Sequence, residues 1–106
     1  MTQIAASIMC ADQLHIVDEL ARLEEAQVEL LHCDVMDGIY VNNLALFPEW
    51  IQAIKGATNI PLDIHLATVT PEKYIDMFAP IGPEYISFHI EVTDDVYGII
   101  NQIRSY

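Results

Sequence analysis

The chain reads as an α/β protein in which parallel strands alternate with helices, and three observations predict this class. Four short apolar runs are each followed by a stretch whose apolar residues recur at helical spacing. Each such stretch opens on a helix-start signal: Asp12, Pro48, Thr70-Pro71 or Thr93. Polar side chains recur on one parity near the C-terminal ends of the apolar runs: Ser7, His32 with Asp34, His65, and His89 with Glu91. From Ser7 to His32, His65 and His89 the steps are 25, 33 and 24 residues, about one strand–helix unit each.

The elements follow in order. A first strand spans about Ile4 to Met9, and a helix starts at Asp12 with Ile16, Leu20 and Leu23 on its apolar face. The second strand runs from about Glu29 to Val35. A loop from Asp37 to Leu46 leads to a helix with Pro48 near its first turn and Trp50, Ile51 and Ile54 facing inward. Asp37-Gly38 is a turn signal, since glycine adopts positive φ without penalty. Pro61 sets off a third strand, about Leu62 to Leu66. Thr70 then caps a helix with Pro71 at its first position, Glu72 near the positive dipole end, and Tyr74, Ile75, Met77 and Phe78 as its buried side. Gly82-Pro83 breaks the chain before a fourth strand, about Tyr85 to Ile90. Thr93 caps the last helix, with Asp94 and Asp95 in its first turn, Arg104 in its last, and Ile99, Ile100 and Ile103 facing inward.

Bulk properties narrow the function classes. A length of 106 residues suits a single domain over 1–106, and 53% hydrophobic residues is far above what a disordered segment carries. The formal net charge is −12, and only Arg22, Lys55, Lys73 and Arg104 are basic, so no cluster exists to displace counterions from nucleic acid. No apolar stretch approaches the ~20 residues of a membrane span, and Met1-Thr2-Gln3-Ile4 lacks the start of a secretory signal. A cytoplasmic setting is the default expectation. Cys10 and Cys33 lie 23 apart, matching no metal or redox spacing, and are expected to be small core residues. With four scattered glycines there is neither a dinucleotide fingerprint nor a P-loop.

What chemistry remains sits in His32-Cys33-Asp34-Val35-Met36-Asp37-Gly38 and Leu62-Asp63-Ile64-His65-Leu66. Strand side chains alternate, so His32 and Asp34 share one face while Leu31, Cys33 and Val35 take the other. Asp63 and His65 likewise oppose Leu62, Ile64 and Leu66. Neighbouring parallel strands lie ~4.8 Å apart, so side chains from both can reach one ion. His32, Asp34 and His65 therefore form a candidate divalent-metal set, open to zinc, iron, cobalt or manganese. Each residue has a plainer reading. A lone strand histidine is usually structural, as is His15 on its helix, and two histidines with a carboxylate also arise by chance. Asp63 lies deeper in its strand and reads as a hydrogen-bonding partner. His89 either lines the pocket or bonds Glu91 or Ser87. Polar groups at the carboxyl ends of parallel strands are where β/α barrels hold active sites.

Ser7-Ile8-Met9, the His32–Gly38 run, Leu62–Leu66, Pro71-Glu72-Lys73-Tyr74-Ile75 and Phe88-His89-Ile90-Glu91 together resemble the ribulose-phosphate 3-epimerases, in order and spacing, over essentially the whole chain. The resemblance implies a (β/α)8 TIM-barrel fold, of which this chain covers about the first four β/α units. It implies an isomerase that inverts C3 of a ketose phosphate, ribulose 5-phosphate to xylulose 5-phosphate, through an enediolate. His32, Asp34 and His65 would hold a divalent metal, zinc foremost, with a second aspartate from a late strand. Asp34 would also remove the C3 proton, and the second aspartate would return one to the far side. Ser7 and His65 would contact sugar oxygens, and Met36 would form part of an apolar wall. Such chemistry needs a metal to stabilise the enediolate and two proton carriers to invert a centre.

Departures from the family pattern set further expectations. Ala67 stands where Met usually follows His-Leu, Ile39-Tyr40-Val41-Asn42-Asn43 where His-Phe-Val-Pro-Asn is usual, and Ala6 where Pro precedes Ser7. Ser7-Ile8-Met9-Cys10-Ala11-Asp12 leans towards the allulose-6-phosphate 3-epimerase branch, which leaves five- and six-carbon sugars both open. Strands five to eight, the second aspartate and the glycine-rich phosphate loop have no counterpart in these residues. Four strands alone leave two open edges. The isolated chain is thus expected to be inert, either a fragment or a half-barrel pairing with another copy or with a C-terminal half. A non-catalytic half-barrel assembly module is the different-class alternative.

Overall fold

The computed structural model describes residues 1–106. Its elements run β1 (Ala5–Ser7), α1 (Ile16–Glu25), β2 (Leu30–Asp37), β3 (Leu44–Ala45), α2 (Pro48–Ala57), β4 (Leu62–Ala67), α3 (Pro71–Phe78), β5 (Tyr85–Phe88) and α4 (Val96–Arg104). The strands form one sheet in the order β1-β2-β4-β5, all parallel, with the two-residue β3 antiparallel to the end of β2. Parallel neighbours joined through helices are the β/α arrangement expected from the alternating signals.

The core lies on one side of this sheet. Leu31, Cys33 and Val35 of β2 and Leu62, Ile64 and Leu66 of β4 are buried against Leu20, Ile51, Ile54, Ile75, Phe78 and Ile99 of the helices. The alternate residues of β2 and β4, His32, Asp34, Met36, Asp63 and His65, are only half-buried on the opposite face. Period-two alternation sorts the two sets, because one buried face holds the register.

Several boundaries differ from the sequence expectation, each for a local reason. β1 stops at Ser7, and Ile8–Cys10 turn into a 3-10 helix. That turn buries Ile8 and leaves Cys10 exposed, so only Cys33 is a core cysteine. Asp12 caps a short 3-10 turn, Gln13–His15, by accepting from Leu14 N–H, and the main helix starts only at Ile16. β2 continues to Asp37 because β3 pairs with its last two residues. Thr70 precedes α3 as expected, but its side chain makes no cap bond. Met77 is 45% exposed, because Pro71, Ile75 and Phe78 make the buried stripe and Met77 falls off it. β5 ends at Phe88, and Ile90–Val92 form a further 3-10 turn. After it, Thr93 Oγ1 accepts from Asp95 N–H, and Asp95, not Thr93, caps α4 by accepting from Gly98 N–H.

Two turns need left-handed backbone. Gly38 ends β2 with φ +77° and Gly82 precedes β5 with φ +83°, conformations that glycine adopts without a Cβ clash. Lys55 Nζ donates to the Ile81 and Gly82 carbonyls at 2.6 and 2.7 Å, anchoring the second turn to α2.

Candidate metal centre

The in-register pairing of β2 with β4 sets Asp34 beside His65 and His32 beside Asp63. Asp34 Oδ1 stands 3.1 Å from His32 Nε2 and 2.8 Å from His65 Nδ1. One donor atom from each of His32, Asp34 and His65 lies within 4.8 Å of the others. The Asp34 side chain is 13% exposed, against 28% for His32 and 26% for His65, so the carboxylate sits at the bottom of a shallow basin between two imidazoles.

A second layer of contacts orients these groups. Asp63 Oδ2 accepts from His32 Nδ1–H at 2.8 Å, which directs the other ring nitrogen, Nε2, at Asp34. A carboxylate behind a histidine ring in this way fixes the tautomer in metal sites. On the far side His65 Nε2 meets His89 Nε2 at 2.7 Å. His89 Nδ1 in turn lies 3.0 Å from Tyr40 Oη and 3.2 Å from Glu91 Oε1, and Tyr40 O–H donates to the same Glu91 oxygen.

The donor set suits a cation. With Nδ1–H committed to Asp63, a neutral His32 presents a lone pair to Asp34 Oδ1, and lone pair facing lone pair at 3.1 Å needs positive charge between or on them. A proton on His32 would meet that need. Burial lowers its pKa, but the Asp63 hydrogen bond and the charges of Asp34 and Asp63 outweigh burial, and the pKa lies above the usual histidine value. A divalent ion held by nitrogen and oxygen ligands would take the place of that proton.

The remaining expected residues are placed as follows. Ser7 pairs in register with His32, on the same face one strand over, and its Oγ lies 3.8 Å from Cys10 Sγ. Met36 follows Asp34 on the polar parity and borders an apolar cavity of about 460 Å³ whose other walls include Leu44, Leu46, Phe47, Tyr74 and Phe78. A second cavity of about 550 Å³ lies across the Leu44–Phe47 segment, against Met9, Leu14 and Trp50. Asp63 is the hydrogen-bonding partner the sequence suggested, and of the two partners open to His89 it takes Glu91. His15 bonds only Asp12, at the surface. Asp37 does more than turn the chain: Oδ1 accepts from Ile39 and Tyr40 N–H, and Oδ2 accepts from Val69 N–H after β4. Tyr40 is the site neighbour that sequence reasoning missed. The available signal was a hydroxyl at a loop position where the resembling family usually carries Phe.

Parallel strands joined by helices, with polar donors on the sheet face opposite a helix-packed core, fit the β/α-barrel class. The profile of the Ribulose-phosphate 3 epimerase family matches residues 3–106. Ribulose-phosphate 3-epimerase of Bacillus subtilis is 34% identical over 104 residues, 98% of this chain and 48% of the relative. The protein of that name from Synechocystis is 41% identical over 88 residues, 83% of this chain and 38% of the relative. That from Methanocaldococcus jannaschii is 35% identical over 105 residues, covering 99% and 44%. The chain belongs to the ribulose-phosphate 3-epimerase family. It spans about half the length, or less, of these curated relatives.

Proposed function

We propose that this chain carries the metal-binding half of the active site of a ketose-phosphate 3-epimerase, with ribulose 5-phosphate as substrate. The observation that carries the reading is the convergence of His32, Asp34 and His65 donor atoms within 4.8 Å on the polar face of the sheet. The relatives named above all bear the five-carbon name, which favours ribulose 5-phosphate over allulose 6-phosphate.

Asp34 is the base in this reading. Its carboxylate takes the C3 proton of the ketose, leaving an enediolate, and its position between two imidazoles leaves one oxygen for ligation and one for the proton. When bound, a divalent cation supplies positive charge to offset what builds on the substrate oxygens. Zinc suits two imidazoles and a carboxylate, and iron, cobalt and manganese share that preference. Asp63 holds the His32 ring in place, and Ser7 and His65 offer hydrogen-bonding groups to sugar oxygens. Met36 lends apolar surface that excludes water. Inversion needs a second proton carrier on the opposite face, so complete turnover belongs to an assembled barrel in which another half contributes it.

Calorimetric titration with zinc tests the site. One ion per chain is expected, with uptake lost in His32→Ala, Asp34→Ala and His65→Ala. In an assembled epimerase containing this half, exchange of the C3 proton of ribulose 5-phosphate with D2O is expected to disappear in Asp34→Asn. Zinc uptake unchanged in all three alanine variants, or exchange that survives Asp34→Asn, overturns the reading.

A further inference from the structure

Beyond the three donors, the polar face carries a continuous row of hydrogen-bonding groups: Asp34, His65, His89, then Tyr40 and Glu91. The protons in this row are constrained from its outer end. Glu91 Oε1 is an acceptor and takes the Tyr40 hydroxyl proton. With that proton given away, Tyr40 Oη can only accept from the ring nitrogen 3.0 Å away, and Glu91 Oε1 at 3.2 Å can also only accept. His89 Nδ1 therefore carries a proton shared between two oxygens. A neutral His89 then has a lone pair on Nε2, and the 2.7 Å contact with His65 Nε2 requires that His65 be the donor there. With its proton on Nε2, a neutral His65 has its lone pair on Nδ1, the atom 2.8 Å from Asp34 Oδ1.

We infer that Glu91, through His89 and assisted by Tyr40, is a positioning residue that sets the His65 tautomer so that Nδ1 is the free ligating atom. Glu91 touches neither Asp34 nor the basin; it acts through two imidazole rings. The arrangement mirrors Asp63 behind His32, so each histidine of the donor set has its own carboxylate, one directly attached and one a ring further out. A His65 lone pair facing Asp34 Oδ1 at 2.8 Å needs a cation beside it, so the His65 tautomer rests on the metal reading above, whereas the proton on His89 Nδ1 does not.

The test is nitrogen-15 NMR of the histidine rings in the full chain, with and without zinc, beside zinc calorimetry. In the wild type His89 is expected as the Nδ1–H tautomer in both states, and His65 as Nε2–H when zinc is bound. In Glu91→Ala, His89 is expected to shift towards Nε2–H and zinc affinity to fall on the order of 10-fold. Glu91→Gln keeps an acceptor oxygen and is expected to restore the His89 tautomer and most of the affinity. Glu91 is exposed, and circular dichroism checks that the variants stay folded. An Nε2–H tautomer of His89 in the wild type, or a Glu91→Ala variant with unchanged tautomers and affinity, overturns the inference. Absence of zinc binding with the His89 Nδ1–H proton in place would instead sink the metal reading, and the His65 assignment with it, and leave only the His89 proton standing.

Discussion

At the level of single residues, Asp37 shows how one carboxylate ties down a functional loop. It holds Ile39 and Tyr40 on one oxygen and Val69, across the sheet, on the other. Partial burial raises its pKa, but the three backbone N–H groups outweigh this and hold it below the usual aspartate value. A depressed folded-state pKa adds stability that is fully present above the unfolded value and lost as pH falls through the folded one. Asp37→Asn turns an amide N–H₂ towards one of those donors and is expected to cost about 1–3 kcal/mol at neutral pH in urea unfolding. The gap should close in acid, where the wild-type carboxyl is itself protonated. Thr68, fully buried, has a hydroxyl with no partner. Thr68→Val keeps the shape and removes the unpaired group, so a gain of about 1 kcal/mol in the same assay is expected. The two cysteines should also separate. Burial and the charges of Asp63 and Asp34 push the Cys33 thiol up to about 12, while Cys10 is exposed. Thiol titration should count one group in the native chain and two in denaturant.

At the level of elements, strand type and facing were legible in the sequence, and helix starts less so. Apolar and polar residues alternate from Leu31 to Val35 in β2 and from Leu62 to Leu66 in β4, and one buried face excludes any register slipped by a single residue. Helix starts depend on short turns that carry no periodic signal. Asp12 caps a 3-10 turn ahead of α1, and Thr93 accepts from Asp95 N–H while Asp95 caps α4. Asp95→Ala is accordingly expected to cost about 1 kcal/mol through loss of the α4 cap, measured by thermal unfolding. Met77 makes the same point for a face: apolar identity suggested burial, but its angular position on α3 exposes it.

On the scale of the whole molecule, the sheet is covered on one side only. Nineteen of 106 residues are buried, the apolar ones packed between sheet and helices, while the polar face with its imidazoles and carboxylates is open. The radius of gyration, 13.9 Å, is somewhat larger than the ~13 Å of a compact domain of this length, as a one-sided sheet requires. A thin core makes stability sensitive to anything that binds the folded state alone. Zinc at a hundredfold excess over its dissociation constant should add about 2.7 kcal/mol and raise the melting temperature reversibly, with chelator restoring the original value. His32→Ala should abolish that rise.

The order of residues along the chain was enough to determine the parallel β/α class, the face on which His32, Asp34, Asp63 and His65 lie, and the family. These follow from period-two alternation and from a string of specific side chains, both local properties. Only the tertiary structure decided that β2 and β4 pair in the register that brings His65 to Asp34, and that Asp63 serves His32. It also brought Tyr40 and Glu91, 51 residues apart, together on His89. Distances between strands and the direction of each ring proton are set by packing and hydrogen bonding among residues far apart in the chain, which no local pattern encodes.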